Sequence, residues 1–504
     1  MSLFTKPQDR EIKIINFLWL TLLTILPFNI RSVLNFDQIK NIEGFREHIS
    51  YSIYALDVVF FLLLLALTVS NLNNIIKRLA NKEITLKKLR EIPFPNRQSG
   101  EFKPLVIAFF ILIAVLISSL LSGNRPSSCY ATLRIAEAFL FFFIAKNLLK
   151  NTSLFQLSII VIFFSGIIQA VIAILQFIFQ RSVGLYFLGE SRLSSEMFNV
   201  AKIEFYGEKI LRPYGTLPHT NLLGAFLLLA FVCGIYLIKN TRHKIINCRS
   251  LIPIIIALII SFSRSVWFVF FLFIIIFFFL AIFENPNYWF VLVDKIKKIK
   301  LRQIIIALFS FVLVFLILSP RLCINNCPND PSRKLRTIYS GIALKSIYSH
   351  PFFGIGPGNF TYLFYSDGYS SGISTWDIQP VHNLYLLIAS EIGLPGLILF
   401  LLFIFLNLKL AGLAFLQNLK PTTNKNSLNK HPLDKKFSFK KMTDNLFYSL
   451  FLGFLLLGLF DHYFWTLLQG QIIFWLALAL TVNIPTKNSQ KNLVKDKQPL
   501  AFLF

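Results

Sequence analysis

A histidine and a glutamate nine residues apart, His382 and Glu391, bracket the apolar stretch VHNLYLLIASEIGLPG (381–396). An imidazole titrates near neutrality and can take a proton from a hydroxyl, and a carboxyl can serve as its partner. On a straight helix, nine residues turn the chain by about 900°, so the two side chains face opposite ways and lie roughly 13 Å apart along the axis. They are not an acid/base pair. Pro395 cannot donate to the carbonyl of Glu391, and its ring crowds that carbonyl. A kink is expected beside Glu391, whose role reads as structural. His382, followed by Asn383 at the mouth of the run, is the candidate for chemistry.

Four other stretches carry polar residues beside apolar blocks. RPYGTLPHTNLLG (212–224) holds Arg212, His219 and Asn221, and SFSRSVW (261–267) holds Arg264. Arg333 and Arg336 precede HPFFGIGPGNF (350–360), and DHYFWTLLQGQ (461–471) opens with Asp461 and His462. Each also has a plain structural reading. Arg212 can snorkel to lipid headgroups, Arg264 can mark a tight turn, and Tyr463 and Trp465 suit an aromatic belt. Gly354, Gly356 and Gly358 are not a nucleotide fingerprint, because no strand precedes them and no lysine–serine pair follows. A turn packed against the membrane surface is expected there. Asp57 stands apart, while Arg134 and Glu137, three residues apart, should pair on one helix face.

The elements that must position these groups are membrane helices. The 504 residues are 55% hydrophobic with 56 phenylalanines, arranged in blocks of about 17–25 residues, the length that crosses a bilayer. About twelve spans follow: 14–29, 52–70, 104–122, 131–148, 155–180, 221–238, 251–263, 266–283, 303–319, 383–408, 446–461 and 466–484. The formal charge of +26 falls mainly in 71–103, 239–250, 284–302 and 409–444, all after even-numbered spans. The positive-inside rule accounts for it and nucleic-acid binding is not required. Both termini are then cytoplasmic, with 30–51, 181–220 and 320–382 outside. In the last of these, Leu335, Ile338, Tyr339, Ile342 and Leu344 recur at helical spacing, so 334–349 reads as an amphipathic helix ended by Pro351. Among five cysteines, Cys129, Cys233 and Cys248 read as packing residues. Cys323 and Cys327 are placed to pair if their segment faces an oxidising compartment.

In this order, RPYGTLPHTNLLG, SFSRSVW, HPFFGIGPGNF and VHNLYLLIASEIGLPG resemble the O-antigen ligase and O-antigen polymerase superfamily, over about 205–480. The resemblance implies an all-α polytopic, GT-C-like glycosyltransferase of the bacterial cytoplasmic membrane. Residues 1–150 would be N-terminal helices, 151–484 the ligase/polymerase-like module with its external loop 320–382, and 485–504 a basic cytoplasmic tail. It implies a polyprenyl-diphosphate-linked glycan as donor and a hydroxyl of lipid A core, another glycan or other acceptor, with inversion and no cofactor or metal. On the matching positions, His382 is the implied catalytic residue, and Arg212, Arg264 and Arg336 hold the diphosphate. Asn383 and Glu391 support them. His219, Asn221 and Asp461 are expected beside the same site. A repeat-unit polymerase is the alternative within the family, and a solute transporter the alternative outside it.

Overall fold

The computed structural model describes residues 7–34, 50–80, 102–197, 200–205, 207–240, 246–284, 331–366, 377–419 and 446–484. The expected span 303–319, Cys323 and Cys327, the tail 485–504 and most of the basic connecting segments lie outside them, as does the side chain of Arg333.

The described chain is mostly helical: α1 (Pro7–Ile25), α2 (Ala55–Ala80), α3 (Phe102–Leu121), α4 (Arg125–Leu148), α5 (Thr152–Phe179), α6 (Thr220–Asn240), α7 (Ile252–Ile260), α8 (Arg264–Glu284), α9 (Pro331–Ser349), α10 (Leu384–Leu419), α11 (Leu446–Leu457) and α12 (Leu468–Val482). Six of these are long and apolar enough to cross a membrane, and α7, α8, α11 and α12 give shorter apolar segments. Two small antiparallel pairs interrupt the all-helical expectation. They are β1 (Arg31–Val33) with β2 (Ser52–Tyr54), and β3 (Lys202–Phe205) with β4 (Glu208–Leu211). The second pair lies within 181–220, where the polar, turn-rich sequence offers no apolar period to announce it.

Helix α6 is the centre of the bundle, enclosed along most of its length. It packs on α5, and α5 also packs on α7. A Cβ on Gly166 of α5 would come within 2.2 Å of the Ala230 Cβ, so these two helices touch backbone to backbone. Small residues allow that approach where lipid supplies no hydrophobic drive between helices. Helix α3 lies along α10, and α4 along α12.

The expected kink in α10 is a break at Gly393, with φ 77° and ψ 171°. Breaking the ladder frees the carbonyls of Ser390 and Glu391, which apolar surroundings cannot hydrate. The glycine-rich turn fills that need. Ile355 N–H donates to Ser390 O at 3.0 Å and Gly356 N–H to Glu391 O at 3.0 Å. Ser118 Oγ of α3 adds a bond to Glu391 O at 2.7 Å. On the far side of the break, Leu394 N–H donates to Pro351 O at 2.8 Å. The turn therefore docks into a broken helix rather than lying on the membrane surface. Helix α9 forms as expected, with Tyr339, Ile342 and Ala343 buried. Leu344 is 58% exposed, because the inward stripe continues through Ala343 instead.

Gly354, at φ +67°, would place a Cβ 2.3 Å from the Glu391 carbonyl. Gly354→Ala should destabilise the protein by about 1–3 kcal/mol or more, read as a lower unfolding temperature in detergent. Gly412→Ala, with open space around it, should leave that temperature unchanged or slightly raised.

Candidate functional site

Arg212 follows β4 and is only 7% exposed, so it does not snorkel to headgroups. Its Nε donates to Ser261 O at 2.9 Å, and a terminal nitrogen donates to Asn221 Oδ1 at 2.8 Å. Asn221, in the first turn of α6, passes the contact on by donating from Nδ2 to Asp461 Oδ2 at 2.6 Å. The backbone N–H of His462 donates to the other carboxylate oxygen at 2.9 Å. The His462 Nδ1 pairs with Thr466 Oγ1 at 2.9 Å. A continuous polar relay thus runs from a buried guanidinium to a buried carboxylate.

The segment carrying Arg212 and His219 is held from beneath by two glutamines of α5. Gln176 Oε1 accepts from the N–H groups of Tyr214 and Gly215, and Gln169 Oε1 accepts from Thr216 N–H at 2.9 Å. Seven residues apart, they share one face of the helix. That spacing of amides in an apolar helix was the available signal for them.

His382 sits immediately before α10, oriented by its neighbour. Asn383 Oδ1 accepts from the N–H groups of Tyr385 and Leu386, both at 3.0 Å, and Nδ2 donates to Leu459 O at 3.2 Å. This is an N-cap with a second tether to the end of α11. The His382 ring stacks on Tyr339 of α9 at 5.9 Å between centroids, 11° from parallel. It meets the His462 ring edge-on at 5.1 Å. Its buried Nδ1 has no hydrogen-bond partner among the described residues. Tyr339 read in the sequence only as part of an apolar stripe.

Burial lowers the proton affinity of His382. The Arg336 charge adds to this, while Asp461 and the Pro380 carbonyl oppose it. His219 is pushed down to about 4, first by burial, with Arg212, His382 and Arg336 adding to the effect against Asp461. Its Nδ1 accepts from Asn221 N–H at 3.2 Å, in keeping with a neutral ring. Burial works against the Asp461 carboxylate, but His382, His462, His219 and Arg336 outweigh it and hold the group below its ordinary range. The site is one carboxylate ringed by imidazoles and cations.

Arg336 lies on α9 one turn before Tyr339 and acts on all three of these groups. Arg264 opens α8, three residues after the Ser261 whose carbonyl holds Arg212. Glu391 belongs elsewhere. At 2% exposure it accepts from Trp465 Nε1 at 2.7 Å, and the Gly358 and Phe360 backbone N–H groups face it. Trp465 is therefore an interior donor and not a belt residue. The Arg134–Glu137 pair forms at 2.7 Å, but Asp57 joins it through Arg134 at 2.8 Å and does not stand apart. Of the three cysteines described, only Cys233 is buried.

Ligand atoms of His382, Asp461 and His462 all lie within 4.8 Å of one another, close enough to share a cation. Both Asp461 oxygens and the His462 Nδ1 already have protein partners, whereas the His382 Nδ1 has none among the described residues.

Residues 250–401 match the family model described as O-antigen ligase. Over that segment the chain is similar to O-antigen ligases. The matched segment holds Arg264, Arg336, His382, Asn383 and Glu391. Arg212, His219, Asn221 and Asp461 lie outside it and are brought to the ligase-like segment by the fold. No curated protein matches the chain.

Asn221→Leu keeps the side chain's bulk but strips a partner from both Arg212 and Asp461. Each such buried loss costs about 1–3 kcal/mol, so a clear fall in unfolding temperature is expected. An unchanged temperature would show that the relay contributes nothing to stability.

Proposed function

We propose that the protein transfers a polyprenyl-diphosphate-linked glycan to a hydroxyl acceptor, as an O-antigen ligase does, on a GT-C-like helical frame. The observation that carries this reading is the buried, unpartnered Nδ1 of His382 amid a cluster of opposed charge. A neutral imidazole there accepts the acceptor's proton as its oxygen attacks the anomeric carbon. The new glycosidic bond forms on the face opposite the diphosphate, the old carbon–oxygen bond breaks, and the configuration inverts. Guanidinium groups stabilise the departing diphosphate as its charge develops, and no metal is assigned to the step. Arg336 and Arg264 are assigned that contact. Arg212, locked to Ser261 and Asn221, contributes its field and the placement of Asp461.

The donor's lipid tail would lie between helices, with chemistry at the outer headgroup level of the bacterial cytoplasmic membrane and both termini inside. A repeat-unit polymerase would use the same groups with a growing glycan as acceptor. Deleting the gene separates the two: lipid-linked polymer accumulating without anchored long chains marks a ligase, and anchors capped by one repeat mark a polymerase.

His382→Ala should abolish transfer while the protein still inserts and still binds donor; full activity in that variant would sink the assignment. Because the ring must be neutral, and its folded proton affinity is below the ordinary value of about 6.5, activity should hold above that pH. It should be lost only as pH falls through the lowered value. A rate that rises on acidification would contradict the base. Arg336→Ala and Arg264→Ala should weaken donor binding, so unchanged donor affinity in both would count against the diphosphate contact.

A further inference from the structure

Beside the cluster lies a cavity of ≈ 80 Å³, partly open to solvent. Its walls come from two parts of the chain. Tyr51, Ser127, Tyr130 and Arg134 come from the N-terminal helices and the strand before them, while Thr361 and Gln471 come from the segments around the ligase-like site. Two of its lining residues neighbour the cluster. Pro380 is two residues before His382, and Thr466 carries the hydroxyl bonded to the His462 ring.

The lining chemistry is specific. Tyr51 and Tyr130 rings stand 5.2 Å apart, giving an aromatic wall, and hydroxyls and an amide line the rest. Gln471 is only 4% exposed, and its Oε1 has no partner among the described residues, although Nε2 donates to Trp465 O. A buried acceptor without a donor is costly and signals a missing ligand group. The cavity's one guanidinium, Arg134, is already matched by Asp57 and Glu137, and Glu391 adds a further carboxyl to the wall. No positive charge is left over to meet a phosphate. An aromatic face and uncharged hydrogen-bonding groups suit a neutral pyranose.

We propose that this cavity is a sugar subsite, holding the saccharide unit that presents the acceptor hydroxyl to His382. The proposal rests on the transfer reading for its place in the reaction, but its binding chemistry can be measured without turnover. It also assigns a task to the N-terminal helices: Tyr130 and Arg134 form one side of an acceptor pocket.

The test uses the full-length protein in nanodiscs, titrated with methyl pyranosides of neutral hexoses and N-acetylhexosamines. Binding is read by saturation-transfer NMR and by the fluorescence of Trp465, which lines the cavity. At least one pyranoside should bind saturably. Gln471→Leu and Thr361→Val should each weaken it about tenfold, the weight of one hydrogen bond. Thermal unfolding checks each variant, and Thr361→Val alone decides if Gln471→Leu does not fold. Absence of saturable binding into the high millimolar range, unchanged binding in folded variants, or competition by inorganic pyrophosphate would overturn the subsite. Loss of the subsite with His382-dependent transfer intact leaves the transfer reading standing. Full transfer by His382→Ala, with saturable sugar binding in the unsubstituted protein, removes the transfer reading and leaves the pocket.

Discussion

The break in α10 at Gly393 is the constraint on which the rest depends. A helix opened inside an apolar bundle leaves carbonyls that neither lipid nor water will satisfy. Here the Ser390 and Glu391 carbonyls are met by the N–H groups of Ile355 and Gly356, so the glycine-rich turn is bound to one place on α10. The turn is also tied to α4, where Ser127 and Ser128 donate to the carbonyls of Gly358 and Pro357. Since the turn is the exit of α9, fixing it fixes α9 over the start of α10. Tyr339 then stacks on His382, with Arg336 one turn away.

A second consequence is electrostatic. Burying Arg212, Asp461 and three histidines together would be unfavourable if each stood alone. The relay through Asn221 gives the guanidinium and the carboxylate fixed partners. Asp461 remains the anion, and burial keeps His382 and His219 below their ordinary proton affinity. The result is a ring of lowered proton affinity, with an unpartnered nitrogen, beside a fixed negative charge.

Glu391 shows how one carboxyl serves the site without joining it. Its backbone carbonyl receives the turn, and its side chain receives Trp465. It thereby links the exit of α9, the break in α10 and the corner before α12. This explains why a carboxyl group stands beside a helix breaker and yet far from the histidine it follows in sequence.

Much of this was legible in the chain itself. Block lengths and apolar content specified membrane helices, because a bilayer imposes one length on all of them. Local stereochemistry specified the break, since Pro395 removes a donor wherever it stands, and it separated His382 from Glu391 on opposite faces. The stripe at 334–349 specified a helix but misplaced Leu344, since periodicity names a face and packing decides its edge. Only the tertiary structure could decide the partners. That Arg212 is buried against Ser261, that Asn221 joins it to Asp461, and that Trp465 turns inward to Glu391 all depend on contacts between residues 49 to 240 positions apart. Nothing local in the sequence encodes such contacts. The same holds for Gln471 and Tyr130, which the fold alone brings to one cavity.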